Sequence, residues 1–317
     1  MKKRKYLLNI FAIVFPIVFF VYIINKIHLR DLGFVLNNLS LKWYFFGFVI
    51  FSLNQLMITL KFFVLLPGRK MNLFQLFQIQ ALYIFMNYIL PFKTGEFSYL
   101  FFIKKYSEAS IAEGVTSLFV SRVFDVLTLI LFWVALYFAR DKVFVNIPEF
   151  QNPVRFLFLI LFVILIGMFF FIGILPKFLE RKKKDSHVFR SFLLQLVEKF
   201  KGVHNLKSYI MILLLSGVMY ICIFWSFGII VRSVGYSVGI WQAVTISLFA
   251  LLGRIVQGVG NFGSHEASWT GALLLIGFPQ KDALLIALSS HFIIISYIVF
   301  WAVFSYIGLE LFFKNRA

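Results

Sequence analysis

Five ionisable side chains stand inside or between long apolar runs: Glu96, Arg122, Asp125, Arg254 and Glu266. At mid-bilayer each costs roughly 2.5–3.5 kcal/mol. Exposed to lipid together they would cost on the order of 12–17 kcal/mol, comparable to a protein's whole net stability. They must therefore face one another or a wet cavity. Arg122 and Asp125 are three residues apart and share a helix face. Two readings follow: an ion pair that neutralises both, or a cavity-facing Arg122 that grips phosphate through its planar fork while Asp125 orients it. Lys61 falls near the cytoplasmic end of its run and reads as a snorkelling side chain.

Glu96 and Glu266 each follow a break in an apolar stretch. The first break runs from Asn87 through Pro91, Lys93, Thr94 and Gly95 to Glu96, and the second from Gln257 through Asn261, Gly263 and His265 to Glu266. Each glutamate opens a second half-helix. It either complements the helix dipole in the first turn, with Thr94 and Ser264 as caps, or belongs to an anion site made by half-helix N–H groups. Burial disfavours the charged carboxylate, so the glutamates are also proton-exchange candidates. The candidate substrate-binding set is Asn87, Lys93, Gly95, Glu96, Arg122, Asp125, Arg254, Gln257, Asn261, Gly263, His265 and Glu266. Gly258, Gly260 and Gly263 match G-x-G-x-x-G literally. A dinucleotide site needs a preceding strand, and a membrane hairpin supplies none. His265 and His291 lie in membrane segments, where they read as buried polar contacts or as pH sensors. There is no Walker A loop, no H-E-x-x-H, no zinc spacing and no Ser–His–Asp arrangement, so the sequence offers no catalytic motif and no cofactor or metal site.

The elements that position these residues are membrane helices. Of 317 residues 61% are apolar and only 14% charged, against roughly 45–50% and about 25% in soluble chains. The net charge of +18 flanks apolar runs rather than forming a nucleic-acid footprint. A single cysteine, Cys222, excludes an internal disulfide. Six runs are long enough to cross the bilayer: Tyr6–Ile24, Trp43–Leu66, Ala112–Phe138, Val154–Leu175, Tyr209–Val231 and Ala283–Phe312. The broken stretches Asn72–Ile103 and Trp241–Phe278 predict re-entrant hairpins. The fold class is thus an all-α polytopic membrane protein, residues 1–317 forming a single membrane domain.

Lysine and arginine set the orientation. Lys2, Lys3, Arg4 and Lys5, then Arg69, Lys70, Lys104 and Lys105, then Lys314 and Arg316, place both termini and both ends of the first hairpin in the cytoplasm. The basic segment 177–208 is also cytoplasmic. Its Val188, Phe189, Phe192, Leu193, Leu196 and Val197 recur at helical spacing, as in an amphipathic helix lying on the membrane or packing on a partner. Residues 43–138 and 209–312 each read as span, hairpin, span, inserted in opposite directions. Matched broken segments in inverted halves are the signature of a transporter core.

The chain resembles the flippase-like family, the transmembrane region of lysylphosphatidylglycerol synthases, which also occurs stand-alone. The resemblance rests on Asn87–Leu90–Pro91–Gly95–Glu96, on Arg122–Asp125, and on Gly260–Asn261–Phe262–Gly263–Ser264–His265–Glu266 followed by Gly277. Tyr99 and His265 stand where the family pattern has arginine, and Lys61 and His291 where arginine is common. The resemblance implies movement of phosphate-containing lipids between leaflets, in a bacterial or archaeal cell membrane. Arg122, Arg254 and the half-helix ends would bind phosphate. Glu96 and Glu266 would bind a cationic head or exchange protons as a coupling ion. The fused synthases add a soluble aminoacyl-transfer domain that these residues do not contain. The expected function is a lipid flippase for a phospholipid or polyprenyl-phosphate lipid, not an enzyme. The alternatives are a membrane-embedded glycosyl or lipid-head transferase, and a non-transporting subunit of an envelope-synthesis complex.

Overall fold

The computed structural model describes residues 39–66, 71–138, 163, 206–254 and 257–314. The first expected span, Val154–Leu175 except for residue 163, and the amphipathic segment up to residue 205 lie outside these residues. The described residues form eight α-helices and no strand: α1 Leu41–Leu65, α2 Leu73–Ile89, α3 Glu96–Tyr106, α4 Ile111–Phe138, α5 Leu206–Ser233, α6 Ile240–Gly253, α7 Ser264–Leu275 and α8 Gln280–Lys314. The helices α1, α4, α5 and α8 are long and apolar enough to cross a membrane. The protein is an all-α polytopic membrane protein.

The helix ends follow from local chemistry. Leu66 and Leu90 precede Pro67 and Pro91, and a residue before proline is pushed out of the helical region. Both are extended, with φ/ψ of −91°/114° and −78°/135°. Asn72 caps α2 by accepting from the Gln75 N–H at 2.8 Å. Ser110 and Glu113 form the corresponding box at the start of α4, the Ser110 N–H donating to Glu113 Oε2 at 2.7 Å. The end of α7 turns at Gly277, whose φ of 94° suits glycine alone among ordinary residues.

The four short helices have 17, 11, 14 and 12 residues. At 1.5 Å per residue they reach about 17–26 Å, short of the ~30 Å hydrocarbon layer. The helices α2 and α3 turn back on each other, with Tyr83 beside Tyr99 and the Gly95 backbone against Met86 and Asn87. The helices α6 and α7 do the same, with Gly253 against Ser268. Contacts within α1–α4 join α1 to α2, α2 to α3, α3 to α4 and α1 to α4, and the same four pairings recur in α5–α8. Between halves, α1 meets α5, α2 meets α8 as α6 meets α4, and α4 meets α5 as α8 meets α1. Exchanging the halves maps this set onto itself. The Ser40 N–H donates to the Ser233 carbonyl at 2.9 Å, so α1 and α5 are antiparallel.

Apolar side chains cover the outside, among them Phe97, Leu131, Leu214, Trp225 and Phe300. In water this would be untenable; in lipid it is the solvated face. The largest buried cluster joins α5, α6, α7 and α8 through Ile230, Ile246, Trp269, Ile286 and Tyr297.

Candidate functional site

The two breaks meet at the centre. Gln257 Nε2 donates to the Asn87 carbonyl and, at 3.2 Å, to the Tyr88 carbonyl. These carbonyls end α2 and would otherwise lack partners. Among the described residues, the positive-φ non-glycines are Lys93 at 54° and Asn261 at 61°, one in each break. Asn261 is held by Ser264, whose hydroxyl donates to its Oδ1 at 2.9 Å. Lys93 is exposed and lies off the cavity wall.

A cavity of about 180 Å³ lies beside this junction. Its walls come from α1, α2, α4, α5, α6, α8 and the second break. Three cations line it, Lys61, Arg122 and Arg254, with one carboxylate, Asp125. Lys61 donates to Asp125 Oδ1 at 2.5 Å. Arg122 donates to Glu96 Oε1 at 2.9 Å, to the Tyr83 hydroxyl at 2.5 Å and to Asp125 Oδ2 at 3.4 Å. Asp125 thus lies between two cations, and the lysine is the nearer. This corrects the snorkelling reading of Lys61: the residue is 1% exposed and its ammonium is anchored in the interior. A carboxylate on the facing helix outweighs the pull of the interface, because a desolvated lysine needs a partner more than it needs water.

Arg254 is the third cation and differs from the others. Among the described residues it has no carboxylate or hydrogen-bond partner. It sits where α6 ends, and it lines the cavity. Other polar atoms on lining residues are buried and unpartnered among the described residues: Arg122 Nε, Asn54 Oδ1, Asn87 Oδ1 and Ser226 Oγ. Buried polar groups in native proteins are nearly always paired, so a cluster of exceptions around one cavity marks a place for a ligand or ordered water.

The second glutamate is placed differently from the first. Glu266 is 1% exposed and off the cavity wall. Its Oε2 accepts the Gly263 N–H at 2.7 Å, which is a helix-start contact, and its Oε1 meets His291 Nδ1. His291 Nε2 lies 3.1 Å from the Gly260 carbonyl. A carbonyl only accepts, so Nε2 carries hydrogen, and Nδ1 and Glu266 share one further proton between them. The pair is neutral overall, which is how a membrane interior tolerates both groups. His265 stacks on His291 at 4.5 Å and lies 3.0 Å from Ser290 Oγ, also off the cavity wall. Gly95 and Gly263 serve the backbone: Gly95 lets α3 touch α2, and Gly263 has φ 80°.

The structure thus brings Asn87, Arg122, Asp125, Arg254, Gln257 and Asn261 to one cavity. Glu96 is joined to it through Arg122. Sequence reasoning missed Asn54, Tyr83 and Tyr88. The signal for Asn54 was its spacing of seven from Lys61, two turns along one face of α1.

The sequence profile of the family described as Lysylphosphatidylglycerol synthase TM region matches residues 9–303. The chain belongs to this family. Its function accordingly lies with membrane lipids. Comparison with curated proteins and with solved structures gives no match.

Proposed function

We propose that this member of the family is a lipid transporter, not an enzyme: it moves a phosphate-bearing lipid between leaflets, the head passing through the central cavity while the acyl chains stay in the bilayer. The observation that carries the reading is Arg254, a cation on the cavity wall with no carboxylate partner among the described residues. An unpaired cation in this setting is expensive, and a phosphate would both neutralise it and accept its parallel N–H groups. Arg122 Nε, buried and unpartnered among the described residues, offers a second donor from the α4 part of the wall. Lys61 and Asp125 fix the pocket's shape by tying α1 to α4. The shared proton of Glu266 and His291 is the candidate for coupling.

The test is a leaflet-exchange assay with a fluorescent phosphatidylglycerol in proteoliposomes. Wild-type protein should accelerate exchange over protein-free vesicles. Arg254→Gln should lose at least ten-fold of that acceleration at unchanged expression and melting temperature. A wild-type rate equal to that of empty vesicles overturns the reading, as does full activity in Arg254→Gln.

A further inference from the structure

We infer that the cavity selects lipids whose heads are anionic and hydroxylated, and rejects aminoacylated, cationic heads. This rests on the transport reading and narrows its substrate. The carboxylates of the described residues are Glu96, Glu108, Glu113, Asp125, Glu266, Asp282 and Glu310. Asp125 alone of these lines the cavity, and Lys61 and Arg122 hold it from both sides at 2.5 and 3.4 Å. Glu96 reaches the cavity only through its ion pair with Arg122. Glu266 faces away, onto His291 and the Gly263 N–H. A lysyl head carries two ammonium groups, the α- and ε-amino groups of its esterified lysine, and would find no unpaired carboxylate on the described wall. To gain one it must break a buried ion pair and leave a cation stranded. The lining cations Lys61, Arg122 and Arg254, set against Asp125 and Glu96, leave one positive charge over, on Arg254. Charge alone therefore repels a cationic head and attracts an anionic one.

The neutral groups refine the choice. Asn54 Oδ1 and Asn87 Oδ1 accept, and the Ser226 hydroxyl both donates and accepts; all three are buried without partners among the described residues. Hydroxyls on glycerol or a sugar can answer all of them, whereas the methyl groups of choline answer none. At about 180 Å³ the space is below the ~300 Å³ at which drug-sized pockets begin, which favours a compact head.

The experiment is lipid titration of the full chain by native mass spectrometry, using dioleoyl forms of phosphatidylglycerol, phosphatidic acid, lysyl-phosphatidylglycerol and phosphatidylcholine, with free glycerol phosphate as a competitor. Phosphatidylglycerol should bind at least ten-fold tighter than the lysyl and choline lipids, and at least three-fold tighter than phosphatidic acid, which has phosphate without hydroxyls. Millimolar glycerol phosphate should compete, since the head supplies the selectivity. Arg254→Gln should bring phosphatidylglycerol within about three-fold of the lysyl lipid. Ser226→Ala, which removes only an unpartnered hydroxyl on the cavity wall, should close the gap to phosphatidic acid. Equal or tighter binding of the lysyl lipid overturns the inference and leaves the transport reading standing. Failure of all four lipids to bind overturns the transport reading itself.

Discussion

Asp125 shows how much a single carboxylate carries in this interior. It is 7% exposed and compensates Lys61, which is 1% exposed. Removing one member of a buried pair costs about 3–5 kcal/mol, because the other charge is left without a partner, while replacing both by apolar groups is often neutral. Asp125→Ala should therefore lower stability by that amount in detergent unfolding. Lys61→Met combined with Asp125→Leu should recover most of it, and a double variant no more stable than Asp125→Ala would show that Lys61 is not the reason. The buried pair of Glu266 and His291 makes a second prediction. His265 stacks on His291, the Tyr88 ring lies 5.7 Å away, and Arg254 acts on both His265 and Tyr88. If the shared proton moves during transport, the exchange rate depends on pH in wild type and the dependence flattens in Glu266→Gln. An unchanged profile leaves Glu266 as the helix-start residue its Gly263 contact makes it. Sequence showed that these charges must be paired or wet, from cost alone. It could not show that Lys61 belongs to Asp125, because the partners are 64 residues apart and on different helices.

At the scale of elements, the four apolar runs that fall on the described residues were legible to within a few residues. Trp43–Leu66 became Leu41–Leu65 and Tyr209–Val231 became Leu206–Ser233. Length and hydropathy suffice there, since lipid imposes one solution on the backbone. The breaks were legible because Pro91 and the glycines around residue 260 punctuate otherwise helical stretches. What was not legible is how closely the half-helices approach. A Cβ on Gly95 would meet the Asn87 backbone and lie 2.6 Å from the Met86 carbonyl carbon. A Cβ on Gly217, in α5, would meet nothing within 4 Å. Gly95→Ala should therefore cost about 1–3 kcal/mol by overpacking and displace α3, while Gly217→Ala should be neutral or stabilising because alanine is the better helix former. Equal melting temperatures for the two variants would mean that the first hairpin does not need the close approach.

For the whole molecule, the contacts fix which element ends share a face. Lys105 and Glu310 pair at 3.2 Å, joining the end of α3 to the end of α8. Leu66, Met71, Tyr106 and Leu309 share one cluster, adding the end of α1 and the start of α2. On the opposite face, Ser40 bonds Ser233, and the Tyr236 hydroxyl donates to Asp282 at 2.9 Å. The helices α4 and α5 run parallel, since Phe124 stacks on Tyr209 while Phe132 meets Phe224. The end of α4 and the start of α5 therefore lie on opposite faces. The face bearing Lys104, Lys105, Lys207 and the ends beside Arg69 and Lys70 is richer in cations than the face bearing Lys42, Arg232 and Lys281, so the positive-inside rule predicts that it faces the cytoplasm. Single cysteines in a Cys222→Ser background test this. A membrane-impermeant maleimide added to intact cells should label Tyr236→Cys and should reach Lys104→Cys and Asp185→Cys only after lysis. Labelling of residue 104 from outside would invert the molecule. Labelling of residue 185 from outside together with protection of residue 104 would place the basic segment on the face opposite the ends of α3 and α8, and the charge rule would then fail for this chain.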